Sequence, residues 1–173
     1  MNAPLPSRKM PETEVILIRH GETEWNVAQR FQGHQDSDLT EKGKFQVETL
    51  GVRFQEEELD QLYSSDLLRT RKTAEAVSRG TGRQVELDVR LREKNLGIFE
   101  GLNVPEIQKK YSDAYKAFKT GGSRYRIESG ESTLDLLVRG LEFLEEIRKN
   151  HEGRKIAIVT HGGFISVILK YSL

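Results

Sequence analysis

The stretch VILIRHGETEWN, residues 15–26, decides the fold class of this chain. Its first four residues are apolar and mostly β-branched, which predicts a strand buried on both faces. The strand runs into Arg19, His20 and Gly21, and a glycine at this point lets the backbone turn sharply and approach a ligand. Thr23 is a candidate N-cap for the short helix that follows. A histidine, a permanent cation and a helix N-terminus thus meet at a strand's carboxyl end, where open α/β sheets bind ligands.

A second stretch repeats this pattern near the end of the chain. Residues 155–160 (KIAIVT) predict another buried strand, and His161 with two glycines follows it directly. Between the two stretches, residues 59–63 predict a strand that leads through Ser-Ser-Asp into a helix with Arg69 in its first turn. Because parallel strands end at one edge of a sheet, we expect His20, His161 and Arg69 to lie close together there.

Helical patterns alternate with the predicted strands. They indicate helices at about 23–31, 40–57, 67–79, 105–118, from 131 onward and at 164–169, with a short strand at 85–87. The helix from 131 has the clearest amphipathic pattern, with apolar residues at positions 134, 137, 138, 141, 144 and 147. This alternation predicts an α/β fold class: a three-layer α/β/α sandwich with a mostly parallel central sheet.

Composition limits the classes of function. Lysine plus arginine and aspartate plus glutamate number 27 each, so no basic excess predicts binding to nucleic acid or an anionic membrane. The chain has no cysteine, which excludes disulfides, zinc-thiolate sites and thiol catalysis. Residues 1–12 contain three of the four prolines and are predicted to be a disordered leader, while 13–173 form a single domain. No apolar segment approaches the length of a membrane span, so a cytoplasmic protein that acts on a small molecule is expected.

Further motifs complete a pattern that is typical of one family. In order they are Arg-His-Gly-Glu-Thr at 19–23 with Asn26, Ser-Ser-Asp at 64–66 with Arg69, Leu-Arg-Glu at 91–93 with Gly97, Gly-Glu-Ser at 130–132, and His-Gly-Gly at 161–163. With these motifs in this order, the chain resembles the histidine phosphatase superfamily, in its phosphoglycerate-mutase-like branch.

The resemblance implies a phosphoryl-transfer site that needs no metal and no cofactor. His20 would be the nucleophile and would carry a phosphohistidine. Arg19, Arg69 and His161 would hold the equatorial phosphate oxygens, and Glu93 would protonate the leaving oxygen. The resemblance also implies substrate contacts from Gly21, Asn26, Gln32, Gly33 and Gly162.

Several functions remain open within and beyond this family. After Glu93 the chain continues Lys-Asn-Leu-Gly, where mutases of the family have Arg-His-Tyr-Gly, and little room exists for their insertion with paired arginines. The resemblance therefore favours a metal-independent, histidine acid-type phosphatase that hydrolyses a small phosphate monoester. Mutase-type phosphoryl transfer and an inactive phospho-ligand binder are alternatives. A metal-dependent hydrolase using His20, Asp36 and His161 lacks the clustered spacing of metal ligands.

Four residues outside the motifs also carry predictions. His34 and His151 are expected at the surface. Arg124 and Arg126 follow a Gly-Gly pair, so they either cap the pocket and bind an anionic substrate or lie in a solvated loop. Family members commonly continue with a further strand, so the resemblance also implies that a chain ending at Leu173 is truncated.

Overall fold

The computed structural model describes residues 12–172, so the predicted leader lies outside the described residues except for residue 12. In this part of the chain four strands form one sheet: β1 Glu14–Arg19, β2 Gln61–Ser64, β3 Val85–Leu87 and β4 Lys155–Thr160. Their order is β1-β4-β2-β3, and every neighbouring pair is parallel. The predicted strands are confirmed, and their carboxyl ends share one edge.

Helices cover both faces of this sheet. Between residues 12 and 172 they are α1 Glu24–Val27, α2 Glu41–Arg53, α3 Leu68–Thr81, α4 Val104–Lys110, α5 Ser112–Thr120, α6 Thr133–Asn150 and α7 Gly162–Ser172. Short 3₁₀ turns lie at Phe54–Glu56, Val89–Leu91, Gly97–Phe99 and Gly122–Arg124. Helices α2 and α3 pack on one face, whereas α6 and α7 pack on the other. The predicted three-layer α/β/α sandwich is confirmed.

Two apolar cores separate the three layers. The core against α2 and α3 contains Ile18, Phe54, Leu59, Leu62, Ala74, Val77, Ala157 and Val159. The core against α6 and α7 contains Leu91, Leu136, Phe143, Ile147, Ile156, Ile158, Phe164 and Ile168. Among the helices between residues 12 and 172, none has both the length and the apolar character that crossing a membrane requires.

Strand β1 differs from the prediction of a strand buried on both faces. It lies at an edge of the sheet and, within the described residues, pairs only with β4. Its first two residues, Glu14 and Val15, are exposed to solvent, Val15 to 37%. Strand β4 lies between β1 and β2 and is buried as predicted. An apolar run in the sequence does not show whether its strand is central or at an edge of the sheet, because strands in both positions pack against apolar residues above and below the sheet.

The helix predicted at 105–118 is two helices. Asn103 begins α4 with a capping box, in which its side chain and that of Glu106 each accept the other's backbone N–H. The helix ends at Tyr111, whose φ of −135° leaves the helical region. The rings of Tyr111 and Tyr115 then pack on Phe99, so tertiary contacts to this ring accompany the break.

Helix α6 is where it was predicted, but only part of the predicted apolar stripe, Leu137, Leu144 and Ile147, packs on the second core. Its buried residues are Leu136, Gly140, Phe143 and Ile147. Three positions of the predicted apolar stripe are instead between 41% and 49% exposed: Leu134, Val138 and Leu141. The helix has apolar residues on two adjoining faces, and the sheet covers only one of them.

Candidate active site

The two His-Gly motifs meet at the carboxyl edge of the sheet, as the parallel topology predicts. The register pairs Arg19 of β1 with Thr160 of β4, so the two histidines follow adjacent strand ends. The backbone N–H of His20 donates to the carbonyl of Thr160 at 3.1 Å. The rings of His20 and His161 lie 5.3 Å apart between centroids and are tilted by 59°.

His20 is oriented by the residue that follows it. Its Nδ1 lies 2.8 Å from the carbonyl oxygen of Gly21, and because a carbonyl only accepts, Nδ1 carries the proton. Burial, with a smaller contribution from the charges of Arg69 and Arg19, lowers the pKa of His20 to about 4. The ring is therefore neutral at pH 7, and Nε2 offers a free lone pair.

Arg69 is a buried cation, and two of its N–H donors make no hydrogen bond within the described residues. It lies in the first turn of α3 with 1% of its side chain exposed. Its Nη1 donates to the Gln35 carbonyl at 2.7 Å and to Asp36 Oδ1 at 2.6 Å, and its Nη2 donates to the Gly33 carbonyl at 2.8 Å. A guanidinium has five N–H donors, so Nε–H, which is buried without a partner among the described residues, and one Nη2–H remain. These two donors fit phosphate oxygens.

His161 presents a third unpaired donor. The ring is completely buried, which lowers its pKa well below the usual value. Its Nε2 lies 2.9 Å from Ser65 Oγ, and its Nδ1 is buried without a partner among residues 12–172. When the Ser65 hydroxyl donates to Nε2, Nδ1 carries the proton and can donate to an anion without the ring being charged.

Glu93 approaches the site from the loop after β3 and meets the N-terminus of α7. Its Oε2 accepts from the Gly163 backbone N–H at 2.9 Å and its Oε1 accepts from the Lys94 N–H at 2.8 Å. A Cβ on Gly163 would lie 2.3 Å from Glu93 Oε1, so a side chain there would displace the carboxylate from this position. Gly162, the first residue of α7, lies beside Arg19, whose Nε would be 3.2 Å from a Cβ there.

Most predicted site residues line one cavity of about 460 Å³. Those that do are Arg19, His20, Asn26, Gln32, Gly33, Arg69, Glu93 and Gly162. Gly21 and His161 do not line this cavity: Gly21 orients His20, and His161 lies buried against the His20 ring. The cavity also includes residues to which the sequence assigned no role, namely Arg30, Lys94, Leu96, Gly163 and Ser166. Two of these had a signal in the sequence, because Gly163 belongs to the His-Gly-Gly motif and Lys94 follows Glu93.

Asn26 combines a structural contact with a free donor. Its Oδ1 accepts from the backbone N–H and the hydroxyl of Thr23 and so completes the capping box of α1. Its Nδ2 makes no hydrogen bond within residues 12–172, and Asn26 lines the cavity. The cap therefore fixes a side chain for which the resemblance implies a substrate contact.

The prediction for the remaining histidines needs correction, and of the two alternatives for Arg124 and Arg126 the structure favours the exposed one. His34 and His151 are half-buried: Nε2 of His34 lies 2.9 Å from the Glu93 carbonyl, and Nε2 of His151 lies 2.9 Å from the Tyr63 hydroxyl. Neither Arg124 nor Arg126 lines the cavity, because Arg126 pairs with the carboxylate at position 135 and Arg124 is exposed.

Asp36 does not have the role that a metal-dependent site would give it. Its Oδ1 pairs with Arg69, and both of its oxygens accept from backbone N–H groups that begin α3. Within residues 12–172 no group of three or more histidine, aspartate or glutamate side chains is placed to hold a metal ion. The carboxylate acts here as a helix cap and a counter-ion.

The family follows from this geometry together with the whole sequence. A family model described as "Histidine phosphatase superfamily (branch 1)" matches residues 15–173. The chain belongs to this superfamily. Its match extends from the first residue of the RHG-containing stretch to the end of the chain, which agrees with the resemblance carried by the motifs.

Individual relatives include phosphatases and proteins named as mutases. The chain is 38% identical over 159 residues to a "Metal-independent phosphoserine phosphatase" of Arabidopsis thaliana, covering 90% of this chain and 67% of that protein. It is 38% identical over 149 residues to a "Probable phosphoglycerate mutase GpmB" of Photorhabdus laumondii, covering 86% and 69%. Among solved structures, a mycobacterial glucosyl-3-phosphoglycerate phosphatase, Rv2419c, in complex with VO3 superposes with a TM-score of 0.79 at 29% identity, covering 90% and 78%. These relatives and the family match support an enzyme that acts on phosphorylated small molecules.

Proposed function

We propose that this protein hydrolyses small phosphate monoesters through a phosphohistidine on His20, without a metal ion. The observation that carries the proposal is the environment of His20: a neutral ring with Nδ1 held by Gly21, in a cavity that Arg69 supplies with unpaired donors. A neutral imidazole nitrogen is a nucleophile, and the donors around it suit a phosphoryl group.

The proposed first step transfers the phosphoryl group to the protein. Nε2 of His20 attacks phosphorus, the bond from phosphorus to the ester oxygen breaks, and the leaving oxygen takes a proton from Glu93. Arg19, Arg69 and His161 hold the equatorial oxygens as charge develops. In the structure both Glu93 oxygens accept backbone N–H groups, so the protonated acid must turn one oxygen from its N–H toward the substrate.

The proposed second step returns the protein to its starting state. Water attacks the phosphorus of the phosphohistidine and gives its proton to the Glu93 carboxylate, and the bond from phosphorus to Nε2 breaks. Nδ1 keeps its proton throughout and donates it in the hydrogen bond to the Gly21 carbonyl. The phosphorylated ring is therefore cationic, and it leaves readily as the neutral imidazole. The products are an alcohol and inorganic phosphate.

The test is phosphate release from a panel of esters in the presence of a chelator. The panel contains phosphoserine, 3-phosphoglycerate and glucosyl-3-phosphoglycerate, since relatives are named for these compounds, and p-nitrophenyl phosphate as a general phosphatase substrate. We expect wild type and His151→Ala to release phosphate and His20→Ala to release none. Quenched wild-type enzyme should contain an acid-labile phosphoryl group that His20→Ala lacks. Release that survives in His20→Ala would refute the proposal, and binding without a phosphoenzyme would indicate an inactive binder.

Mutase-type transfer is a second candidate, because one relative is named a probable phosphoglycerate mutase. A mutase keeps water from its phosphohistidine, whereas a phosphatase admits it. Incubation with 3-phosphoglycerate distinguishes the two: net isomerisation with little phosphate release would favour the mutase. We also propose that residues 13–173 form one domain of this family, which the match over 15–173 supports; a cytoplasmic location stays a prediction.

A further inference from the structure

The loop that carries Glu93 has little regular structure of its own. It follows a 3₁₀ turn at Val89–Leu91 and precedes another at Gly97–Phe99. Its position is instead fixed by hydrogen bonds from other elements, such as the one that the Thr160 hydroxyl donates to the Leu91 carbonyl at 2.7 Å. The proposed acid therefore depends on contacts outside its own segment.

Arg139 of α6 makes three of these contacts. Its Nη1 donates to the Arg90 carbonyl at 2.5 Å and to the Arg92 carbonyl at 2.7 Å, and its Nη2 donates to the Glu93 carbonyl at 3.0 Å. Its remaining two donors, Nε–H and one Nη2–H, go to the Glu131 carboxylate at 3.2 and 2.6 Å. All five donors of this guanidinium are thus used, two of them on the loop and one on the 3₁₀ turn before it.

Glu131 binds the same loop from the other side of Glu93. Its Oε1 accepts from the Asn95 N–H at 2.8 Å, and its own backbone N–H donates to the Asn95 carbonyl at 3.0 Å. The preceding Gly130 lies so close that a Cβ would be 2.7 Å from the Asn95 carbonyl oxygen. The Gly-Glu-Ser motif, to which the sequence assigned no chemistry, therefore packs directly on the acid loop.

We propose that Arg139 and Glu131 form a positioning pair that holds Glu93 at the distance proton transfer requires. This inference rests on the proposed function, in which Glu93 is the acid. The pair is mostly buried, with 18% and 14% of the two side chains exposed. Arg139 lies on α6, which the second apolar core fixes against the sheet, and Glu131 lies two residues before the first residue of that helix. The pair fixes the backbone on both sides of Glu93 and leaves the carboxylate free to turn.

The pair acts on the leaving group and not on the phosphate. Neither side chain lines the cavity or hydrogen-bonds to His20, Arg69 or His161, and Arg139→Lys keeps the positive charge that acts on His161. A displaced acid should therefore slow only reactions in which the leaving oxygen needs a proton. An alkyl phosphate such as phosphoserine needs it, whereas p-nitrophenolate leaves without it.

The experiment compares kcat/KM for phosphoserine and p-nitrophenyl phosphate in Arg139→Lys and Glu131→Gln. Lysine keeps the charge but has three donors in place of five, and glutamine keeps an acceptor for Asn95 but loses the charge. A displacement of about 1 Å costs on the order of 100-fold in rate, so we expect a loss of that size for phosphoserine in Arg139→Lys. The loss for p-nitrophenyl phosphate and the change in inhibition by inorganic phosphate should be far smaller.

Arg148→Lys is the matched control, because Arg148 lies on the exposed face of the same helix and pairs with Glu145. It should leave the ratio of the two kcat/KM values unchanged. Thermal unfolding of each variant shows that it is folded, and Glu131→Gln carries the test if Arg139→Lys is not. Equal losses on both substrates, or none on either, would overturn the inference.

Glu93→Gln and His20→Ala, measured alongside, separate this inference from the proposed function. Activity in His20→Ala refutes the phosphohistidine itself. Equal losses of Glu93→Gln on both substrates refute the acid and, with it, the inference. If kcat/KM for phosphoserine falls selectively in Glu93→Gln but not in Arg139→Lys, only the positioning pair is refuted.

Discussion

Replacing His20 by asparagine should reduce the stability that the protein loses in acid. In the folded protein burial lowers the pKa of His20 to about 4 from an ordinary value of 6.5, and 7% of the residue is exposed. The asparagine amide does not titrate, and its N–H can donate to the Gly21 carbonyl in place of Nδ1. The substitution therefore removes the titration while keeping the hydrogen bond that orients the side chain.

The size of this effect follows from the linkage between proton binding at His20 and folding. Between pH 6.5 and 4 the unfolded chain takes up a proton at His20 and the native protein does not, so acid favours the unfolded state of the wild type. At about 1.4 kcal/mol per pKa unit, the shift corresponds to about 3 kcal/mol once the pH is below 4. At pH 5 it corresponds to about 2 kcal/mol, and at pH 8 it contributes nothing.

Urea unfolding at pH 8 and pH 5, in buffer free of phosphate, measures the effect. Phosphate is left out because an anion in the cavity favours the imidazolium and raises the pKa of His20. The free energy of unfolding of His20→Asn minus that of the wild type should increase by about 2 kcal/mol from pH 8 to pH 5. The same difference at both pH values would show that the folded pKa of His20 is ordinary, and the account of its nucleophilicity would fail.

Two further substitutions test the surroundings of the cavity. Asp36→Asn leaves the buried guanidinium of Arg69 without its counter-ion. Urea unfolding should therefore show that the free energy of unfolding falls by about 3 kcal/mol, and kcat/KM should fall as well. An unchanged free energy of unfolding would contradict this. Gly33→Ala should lower the unfolding temperature more than Gly82→Ala. Both glycines have a positive φ, but of the two only Gly33 has a side chain where the Cβ would lie, 2.0 Å from Glu100 Oε1. Equal shifts for the two alanine variants would refute the steric argument.

The parts of the site that the sequence predicts lie where a strand ends. A His-Gly pair after each of two apolar runs is enough to predict that His20 and His161 meet, because parallel strands leave their carboxyl ends on one edge. The register of Arg19 with Thr160 confirms it. Arg69 was predictable for the same reason, since it begins the helix after a third strand end.

Other features depend on partners that are distant in sequence, and local patterns do not encode them. The apolar runs of β1 and β4 look alike, yet one strand is at the edge of the sheet and the other is central. Leu134 and Val138 fit a helical stripe, yet α6 turns Leu136 and Phe143 to the core. Periodicity gives the spacing of a buried face but not which of two apolar faces the sheet covers.

The two halves of the site differ in how they are built, and this difference explains why one was predictable. The half that we propose to bind phosphate has His20 one position beyond a strand and Arg69 within the first turn of a helix, so the fold class alone places both residues. The half that we propose to carry the acid is an irregular loop held in part by Arg139, forty-six residues after Glu93 in the chain. A sequence motif can mark Glu93 as important, but the contact that positions it exists only after α6 has packed on the sheet. The acid therefore depends on the tertiary structure to a degree that the nucleophile does not. Substitutions in α6, far from the phosphate, should accordingly alter which leaving groups the protein can release without altering how it holds a phosphate.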